Sequence, residues 1–92
     1  MRTSNNEQQW TDSIAGTYLW KYVRDENGHK LSYNTFEEAK TAAIRIGDEC
    51  GGITLEKGGK LGPKYTLRKG KVAKIHYNEN QHTYGLASWI KK

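Results

Sequence analysis

The chain has 92 residues, of which 35% are hydrophobic, 11% aromatic and 27% charged, and its formal net charge is +5. This length suffices for one small domain with a single modest core and excludes a second core. The sequence contains no run of about 18 apolar residues, which excludes a membrane-spanning helix. Its recurrent aromatic and β-branched residues exclude a chain that is disordered by composition.

The N-terminal segment is polar and has no apolar stretch of the kind that a secretory signal requires. We predict that residues 1–13 form a polar N-terminal arm, which Trp10 holds against the body, and that residues 14–92 form one domain. The chain has a single cysteine, Cys50, which cannot form an intramolecular disulfide. These features favour a reducing compartment, so we expect a protein that resides in the cytoplasm or is assembled there.

The first regular element is a strand. Residues 17–24 are rich in aromatic and β-branched side chains, and apolar groups occur on both faces of the predicted strand. This pattern indicates a central strand with material packed on each side. A turn at residues 25–28 leads to a short second strand at residues 29–33.

A helix follows over residues 35–47. Thr35 is a suitable N-cap, and Glu38 three residues later completes a capping box. Gly47 is a natural stop. The helical spacing of the apolar residues predicts one buried stripe, formed by Phe36, Ala39, Ala43 and Ile46.

After the helix the apolar period changes to two. Alternating patterns at residues 52–57, 64–69, 71–77 and 82–90 predict strands, and short polar turns between them predict antiparallel hairpins. The predicted fold class is therefore α+β, with one α-helix packed on a single antiparallel β-sheet of about four to five strands. The predicted core consists of Phe36, Ala39, Ala43, Ile46, Ile53, Leu55, Leu67, Ile75 and Trp89.

Cys50 lies between the helix and the next strand. Asp48, Glu49 and the C-terminal end of the helix all oppose formation of a thiolate at this position. A buried structural thiol is therefore favoured over a nucleophile.

The stretch that runs from the helix into the following strands resembles the core of the PAN/apple module family. The resemblance rests on Thr35-Phe36-Glu37-Glu38-Ala39, then Cys50-Gly51-Gly52-Ile53-Thr54, then Tyr65-Thr66-Leu67-Arg68, and it covers roughly residues 31–70. Members of that family join the helix to the sheet by disulfides, whereas this chain has Ala42, Ala43 and Tyr65 at or near the partner positions. The resemblance implies a disulfide-free relative that binds protein or carbohydrate without catalysis, and no binding residue carries over.

Basic residues are concentrated in the second part of the chain. Residues 1–56 contain six Lys/Arg and nine Asp/Glu, whereas residues 57–92 contain nine Lys/Arg and one Asp/Glu. This asymmetry predicts an anionic partner, although lysines also protect the exposed edges of sheets from pairing. The candidate residues for binding that partner are Lys57, Lys60, Lys64, Arg68, Lys69, Lys71 and Lys74.

Catalytic and metal-binding patterns are weak in this sequence. His76 and His82 flank a predicted turn, but no C-x-x-C or H-x-x-x-H motif accompanies them. The carboxylates occur at turns and helix ends, and the glycines at 58–62 do not match a phosphate-binding loop of the G-x-x-x-x-G-K-[ST] type. We therefore predict no enzyme, no cofactor and no metal site.

Two functional hypotheses follow from the sequence. The favoured one is a non-catalytic binding or structural module that docks to a protein or a glycan, such as a component of a viral or phage particle. The alternative is a nucleic-acid-binding domain, in which lysines of the region 57–74 contact phosphates and the interleaved Tyr65, Tyr77 and Tyr84 stack on bases.

Overall fold

The structure is a computed structural model, which describes residues 10–75 and 79–92. One α-helix and seven strands are found in these ranges, and a short 3-10 helix, Gly47–Glu49, follows the α-helix. In chain order the elements are β1 Ile14–Ala15, β2 Thr17–Leu19, β3 Ser32–Tyr33, α1 Phe36–Ile46, β4 Gly52–Glu56, β5 Lys64–Arg68, β6 Ala73–Ile75 and β7 Gly85–Ile90.

The main sheet has five antiparallel strands in the order β1-β7-β4-β5-β3. Strand β4 is central, and Ile53 on this strand lies opposite Leu67 of β5 and Trp89 of β7. This arrangement confirms the predicted α+β class and the predicted number of strands in the main sheet. The strands predicted at residues 17–24 and 71–77 do not join this sheet: they correspond to β2 and β6, which form a separate two-stranded ribbon, so residues 17–24 are not a central strand.

The helix begins as its sequence predicts. Thr35 accepts a hydrogen bond from the Glu38 backbone amide, and the Glu38 side chain accepts one from the Thr35 amide, which completes the capping box. The C-terminal end of α1 carries a cap that the sequence did not predict. Buried Lys91 donates to the carbonyl oxygens of Ala43 and Gly47, at 3.3 Å and 2.5 Å, so its positive charge lies at the negative end of the helix dipole.

The hydrophobic core lies between α1 and the main sheet. Ala39, Ala43, Ile53 and Leu67 are fully buried there, as predicted. Four aromatic rings pack at the edge of this core with centroid separations of 4.8–6.0 Å, namely Trp10, Phe36, Tyr65 and Trp89. Trp10 therefore does hold the N-terminal segment to the body, while residues 1–9 of the predicted arm lie outside the described residues.

The ribbon covers the face of the sheet that is opposite to α1. Leu19 of β2 is fully buried, and its amide donates to the Thr54 hydroxyl at 2.9 Å. Strand β6 pairs with β2 and not with β5. The predicted hairpin of β5 and β6 is therefore wrong. Ile75 is 66% exposed and does not belong to the core, because β6 lies in the ribbon and the core is built on the other side of the sheet.

Candidate functional site

The structure divides the seven predicted basic residues into two groups at opposite ends of β5. The ends of this strand, Lys64 and Arg68, are four residues apart, which corresponds to roughly 13 Å. Lys57, Lys60 and Lys64 lie around the β4–β5 turn, and Lys69, Lys71 and Lys74 follow the other end of the strand. The basic residues therefore do not form the single continuous cluster that their sequence spacing suggests.

Arg68 is a correction to the predicted binding set. It is only 3% exposed, and its guanidinium donates to the Leu19 carbonyl at 2.8 Å, the Thr66 hydroxyl at 2.9 Å and the Glu56 carboxylate at 3.0 Å. All of these acceptors belong to the protein, so Arg68 holds β2 onto the main sheet. The sequence pattern places Thr66 and Arg68 on one face of β5 but does not show that this face is covered, since the ribbon that covers it comes from a distant part of the chain.

A buried polar cluster surrounds Arg68. Glu56 accepts hydrogen bonds from Arg68, from Lys30 at 3.1 Å and from the Tyr22 hydroxyl. Burial, and then the bond to Glu56, raises the pKa of Tyr22 to about 12, so its hydroxyl is protonated and donates at neutral pH. Burial lowers the pKa of the Arg68 guanidinium while Tyr22 and Glu56 raise it, and arginine stays charged in proteins.

An aromatic groove opens beside this cluster. We define it by its lining residues Tyr18, Trp20, Lys21, Tyr22, Arg68 and Thr83, and its volume is about 370 Å³. Trp20 is 61% exposed, which is unusual for the largest aromatic side chain. Three aromatic residues, an exposed lysine and a buried guanidinium thus converge on a space that is large enough for a planar ring.

The local backbone explains why Trp20 faces the solvent. Lys21 is the one non-glycine residue with positive φ, at 70°, among the residues that the structure describes, and this conformation ends β2 and turns the chain. The Gly70 amide donates to the Trp20 carbonyl at 3.0 Å, and a Cβ at Gly70 would lie only 3.0 Å from that oxygen. Gly70 therefore permits the close approach that holds the turn in place.

One exposed lysine lines the groove and a second lies across from one of its tyrosines. Lys21 lines it directly, and its ammonium lies 5.8 Å from the centre of the Trp20 ring. Lys74 is the cross-strand partner of Tyr18, so both side chains are on the same face of the ribbon. Of the seven predicted residues, Arg68 lines the groove and Lys74 lies on the ribbon face of Tyr18, whereas Lys21 was not predicted.

The chemistry that this groove permits is stacking combined with attraction of negative charge. Tyr22 contributes mainly an edge, because the Arg68 guanidinium carbon lies 4.0 Å from its ring centre and Lys30 lies 4.8 Å from it. The 61% exposed Trp20 ring offers a surface for a planar group, and Tyr18 lies in the lining beside it. The one signal in the sequence that pointed here was the presence of apolar residues on both faces of the predicted strand 17–24.

The other candidate chemistries find no support among the described residues. Cys50 is fully buried, its thiol donates to the Gly52 carbonyl at 3.3 Å, and burial raises its thiol pKa. His76 and Tyr77 lie outside the described residues, and within residues 10–75 and 79–92 no three potential metal ligands cluster together. In the same ranges, no helix has the length and apolar character needed to cross a membrane.

Comparison of the chain with protein-family models, with curated proteins and with solved structures finds no match. The resemblance to the PAN/apple family therefore stays a prediction from the sequence.

Proposed function

We propose that this chain is a non-catalytic binding module and that the aromatic groove binds an unpaired nucleic acid strand. The observation that carries the proposal is the exposed Trp20 ring next to Tyr18, with Lys21 and Lys74 beside them. Proteins that bind single strands combine aromatic stacking surfaces with a positively charged path for the phosphates. Both parts are present in this groove, and both are contributed by the ribbon and the turn that follows β2.

The distribution of charge favours the same side of the molecule. The helix side carries exposed carboxylates at Glu37 and Glu38 in the first turn of α1 and at Asp48 and Glu49 in the 3-10 helix. The ribbon side carries the lysines of the groove. An anionic polymer is therefore attracted to the ribbon side and repelled by the helix side, which orients the encounter.

The test is fluorescence anisotropy with a labelled single-stranded oligonucleotide at several salt concentrations. Trp20→Ala removes one stacking surface, and we expect binding to weaken roughly tenfold, since stacking contributes about 1–3 kcal/mol per base. Lys21→Gln/Lys74→Gln should weaken binding at low salt and reduce its salt dependence. The matched control is Lys40→Gln/Arg45→Gln, which removes the same charge from the helix side and should bind like the unmodified protein.

Equal weakening by the ribbon-side and helix-side double variants would show a response to net charge alone and would contradict a groove-specific site. A duplex oligonucleotide provides a further comparison, since paired bases do not offer free faces for stacking. Binding of the duplex as tight as that of the single strand would contradict the proposed stacking.

Docking to a protein or a glycan, the favoured hypothesis from the sequence, is the second candidate. It is supported by exposed apolar side chains in and next to β6, because Val72 and Ile75 are 68% and 66% exposed. Exposed apolar groups that cluster on a surface favour a binding partner. Failure of the oligonucleotide to bind at low salt, together with salt-independent capture of a glycan or protein that requires Trp20, would support this candidate.

A further inference from the structure

A second pocket lies on the ribbon side of the sheet, at the β4–β5 turn. Its volume is about 390 Å³, and it is lined by Lys30, Glu56, Lys64, His82 and the loop Gly58–Gly62, which includes the side chains of Lys60 and Leu61. Its lining is drawn from the segments before β3, between β4 and β5, and before β7. We refer to it as the glycine-loop pocket. Lys60 and Lys64 were predicted from the sequence to bind an anionic partner, but the pocket itself was not predicted.

The loop can form this pocket only with glycine at its first position. Gly58 has φ of +74°, and a Cβ at this residue would lie 2.0 Å from the Gly62 carbonyl oxygen. The His82 ring lies over the next residue, 3.2 Å from where a Cβ of Gly59 would be. Protein atoms therefore occupy the space where a Cβ of Gly58 or Gly59 would lie, so these two glycines let the loop close and let His82 pack on it. The side chains of Lys60 and Leu61 are the exposed ones of the loop.

The charge of the glycine-loop pocket is positive after its internal pairs are counted. Glu56 at its base is engaged by Lys30 and Arg68. Lys64 donates to the neutral side-chain oxygen of Asn34, and among the described residues no carboxylate is within ion-pairing distance of Lys60 or Lys64. Two ammonium groups with unmatched charge thus line the pocket, and lysine ammonium groups are common binding partners of phosphate.

The aromatic groove and the glycine-loop pocket share one wall. Tyr22 lines the groove, Lys30 lines the pocket, and the Lys30 ammonium is 4.8 Å from the centre of the Tyr22 ring. Lys64 and Glu56 are cross-strand partners on the face that also carries Arg68, so both sites open on the side opposite to α1. A ligand held in the groove can therefore reach the pocket without crossing an edge of the sheet.

We propose that the glycine-loop pocket is a phosphate-binding subsite, which holds a phosphate group of the strand whose base occupies the aromatic groove. The inference rests on the proposed function for the identity of the ligand, while the affinity of the pocket for phosphate is independent of it. Lys60 and Lys64 bind the phosphate oxygens in this pocket.

The first measurement is an amide NMR titration with inorganic phosphate, with sodium chloride at equal ionic strength as the reference. We expect shifts that saturate at the amides of Gly58–Gly62 and are absent from the Lys60→Gln/Lys64→Gln variant. The Lys40→Gln/Arg45→Gln variant should retain them. Shifts that are spread over all exposed lysines, or that persist in the Lys60→Gln/Lys64→Gln variant, would overturn the subsite.

The second measurement distinguishes a phosphate of the nucleic acid backbone from free phosphate. For a single strand, each neutralised phosphate contributes about 0.7 to the slope of log K against log salt, so the loss of two contacts lowers the slope by about 1.4. When salt rises from about 50 to about 200 mM, the affinity of the Lys60→Gln/Lys64→Gln variant should therefore fall roughly sevenfold less than that of the unmodified protein. An unchanged slope would overturn the assignment to the same strand.

Failure of the proposed function gives a different result. If the oligonucleotide does not bind the unmodified protein while inorganic phosphate still shifts the loop amides, the phosphate subsite is supported and the nucleic acid ligand is rejected. If the oligonucleotide binds through Trp20 but phosphate leaves the loop amides unmoved, the subsite is rejected and the proposed function is retained.

Discussion

Cys50 illustrates how the surroundings of one residue decide its chemistry. Its thiol is fully buried next to Ile53 and Leu67 in the core, and burial raises the thiol pKa more than its hydrogen bond to Gly52 and the charge of Lys91 lower it. The thiolate needed for a nucleophile or a metal ligand is therefore disfavoured at neutral pH. The prediction of a structural thiol from the acidic neighbours in the sequence agrees with this burial.

We expect Cys50→Ala to lower the free energy of unfolding by about 1 kcal/mol or somewhat more, because the substitution leaves a small cavity in the core. Urea unfolding followed by tryptophan fluorescence measures this change. The exposed substitution Ser13→Ala is the control and should stay within about 0.5 kcal/mol of the unmodified protein. Loss of oligonucleotide binding by a fully folded Cys50→Ala protein would contradict a purely structural role.

At the scale of elements, the pairing of Glu56 and Arg68 joins β4, β5 and the segment after β2. Both side chains are 4% exposed, and their contact measures 3.0 Å. Replacement of Glu56 by glutamine keeps the shape of the side chain but removes the negative charge that compensates Arg68. Because a buried charge without its partner is costly, we expect Glu56→Gln to lower the free energy of unfolding by about 3–5 kcal/mol.

The matched control is Glu37→Gln, which makes the same chemical change at a solvent-exposed pair with Lys40. That contact is 3.4 Å long and the glutamate is 78% exposed. An exposed ion pair contributes about 0–1 kcal/mol, so the control should change little. Similar losses of stability in the two variants, measured by urea unfolding, would show that the buried cluster does not hold the ribbon to the sheet.

These elements also show how far the sequence could predict the fold. The capping box at Thr35 and the apolar stripe of α1 are local signals, and both the start and the face of the helix were correct. The alternation of β5 gave its two faces, but alternation does not reveal which face another segment covers. Arg68 is covered by Leu19 and Tyr22, and Leu19 lies 49 positions earlier in the chain.

The same limit applies to the candidate site. The basic character of residues 57–74 is visible in composition, whereas the neighbours of each lysine depend on strand order. Pairing of β6 with β2 brings Lys74 to Tyr18, and the turn at Lys21 exposes Trp20. A prediction that placed β6 beside β5 could not have found the groove.

At the scale of the whole molecule, the segments near the two ends of the chain are joined. Thr11 and Ile90 exchange hydrogen bonds, with the Thr11 amide donating to the Ile90 carbonyl and the Ile90 amide donating to the Thr11 hydroxyl, each at 2.9 Å. Trp10 bridges to Lys91 and packs against Phe36, with ring centres 6.0 Å apart. Since Lys91 also caps α1, the first described residues, the last strand and the helix stabilise one another.

Two tryptophans therefore allow stability and binding to be separated. Trp10→Ala removes a half-buried ring that closes the core, and we expect a loss of about 2–3 kcal/mol, somewhat below the cost for a fully buried ring. Trp20→Ala removes an exposed ring and should change stability by no more than about 0.5 kcal/mol. In the proposed function only the second substitution weakens oligonucleotide binding, measured by anisotropy under conditions in which both variants are folded. A Trp10→Ala protein that binds as weakly as Trp20→Ala would place the ligand on the helix side as well, and would contradict a site confined to the ribbon.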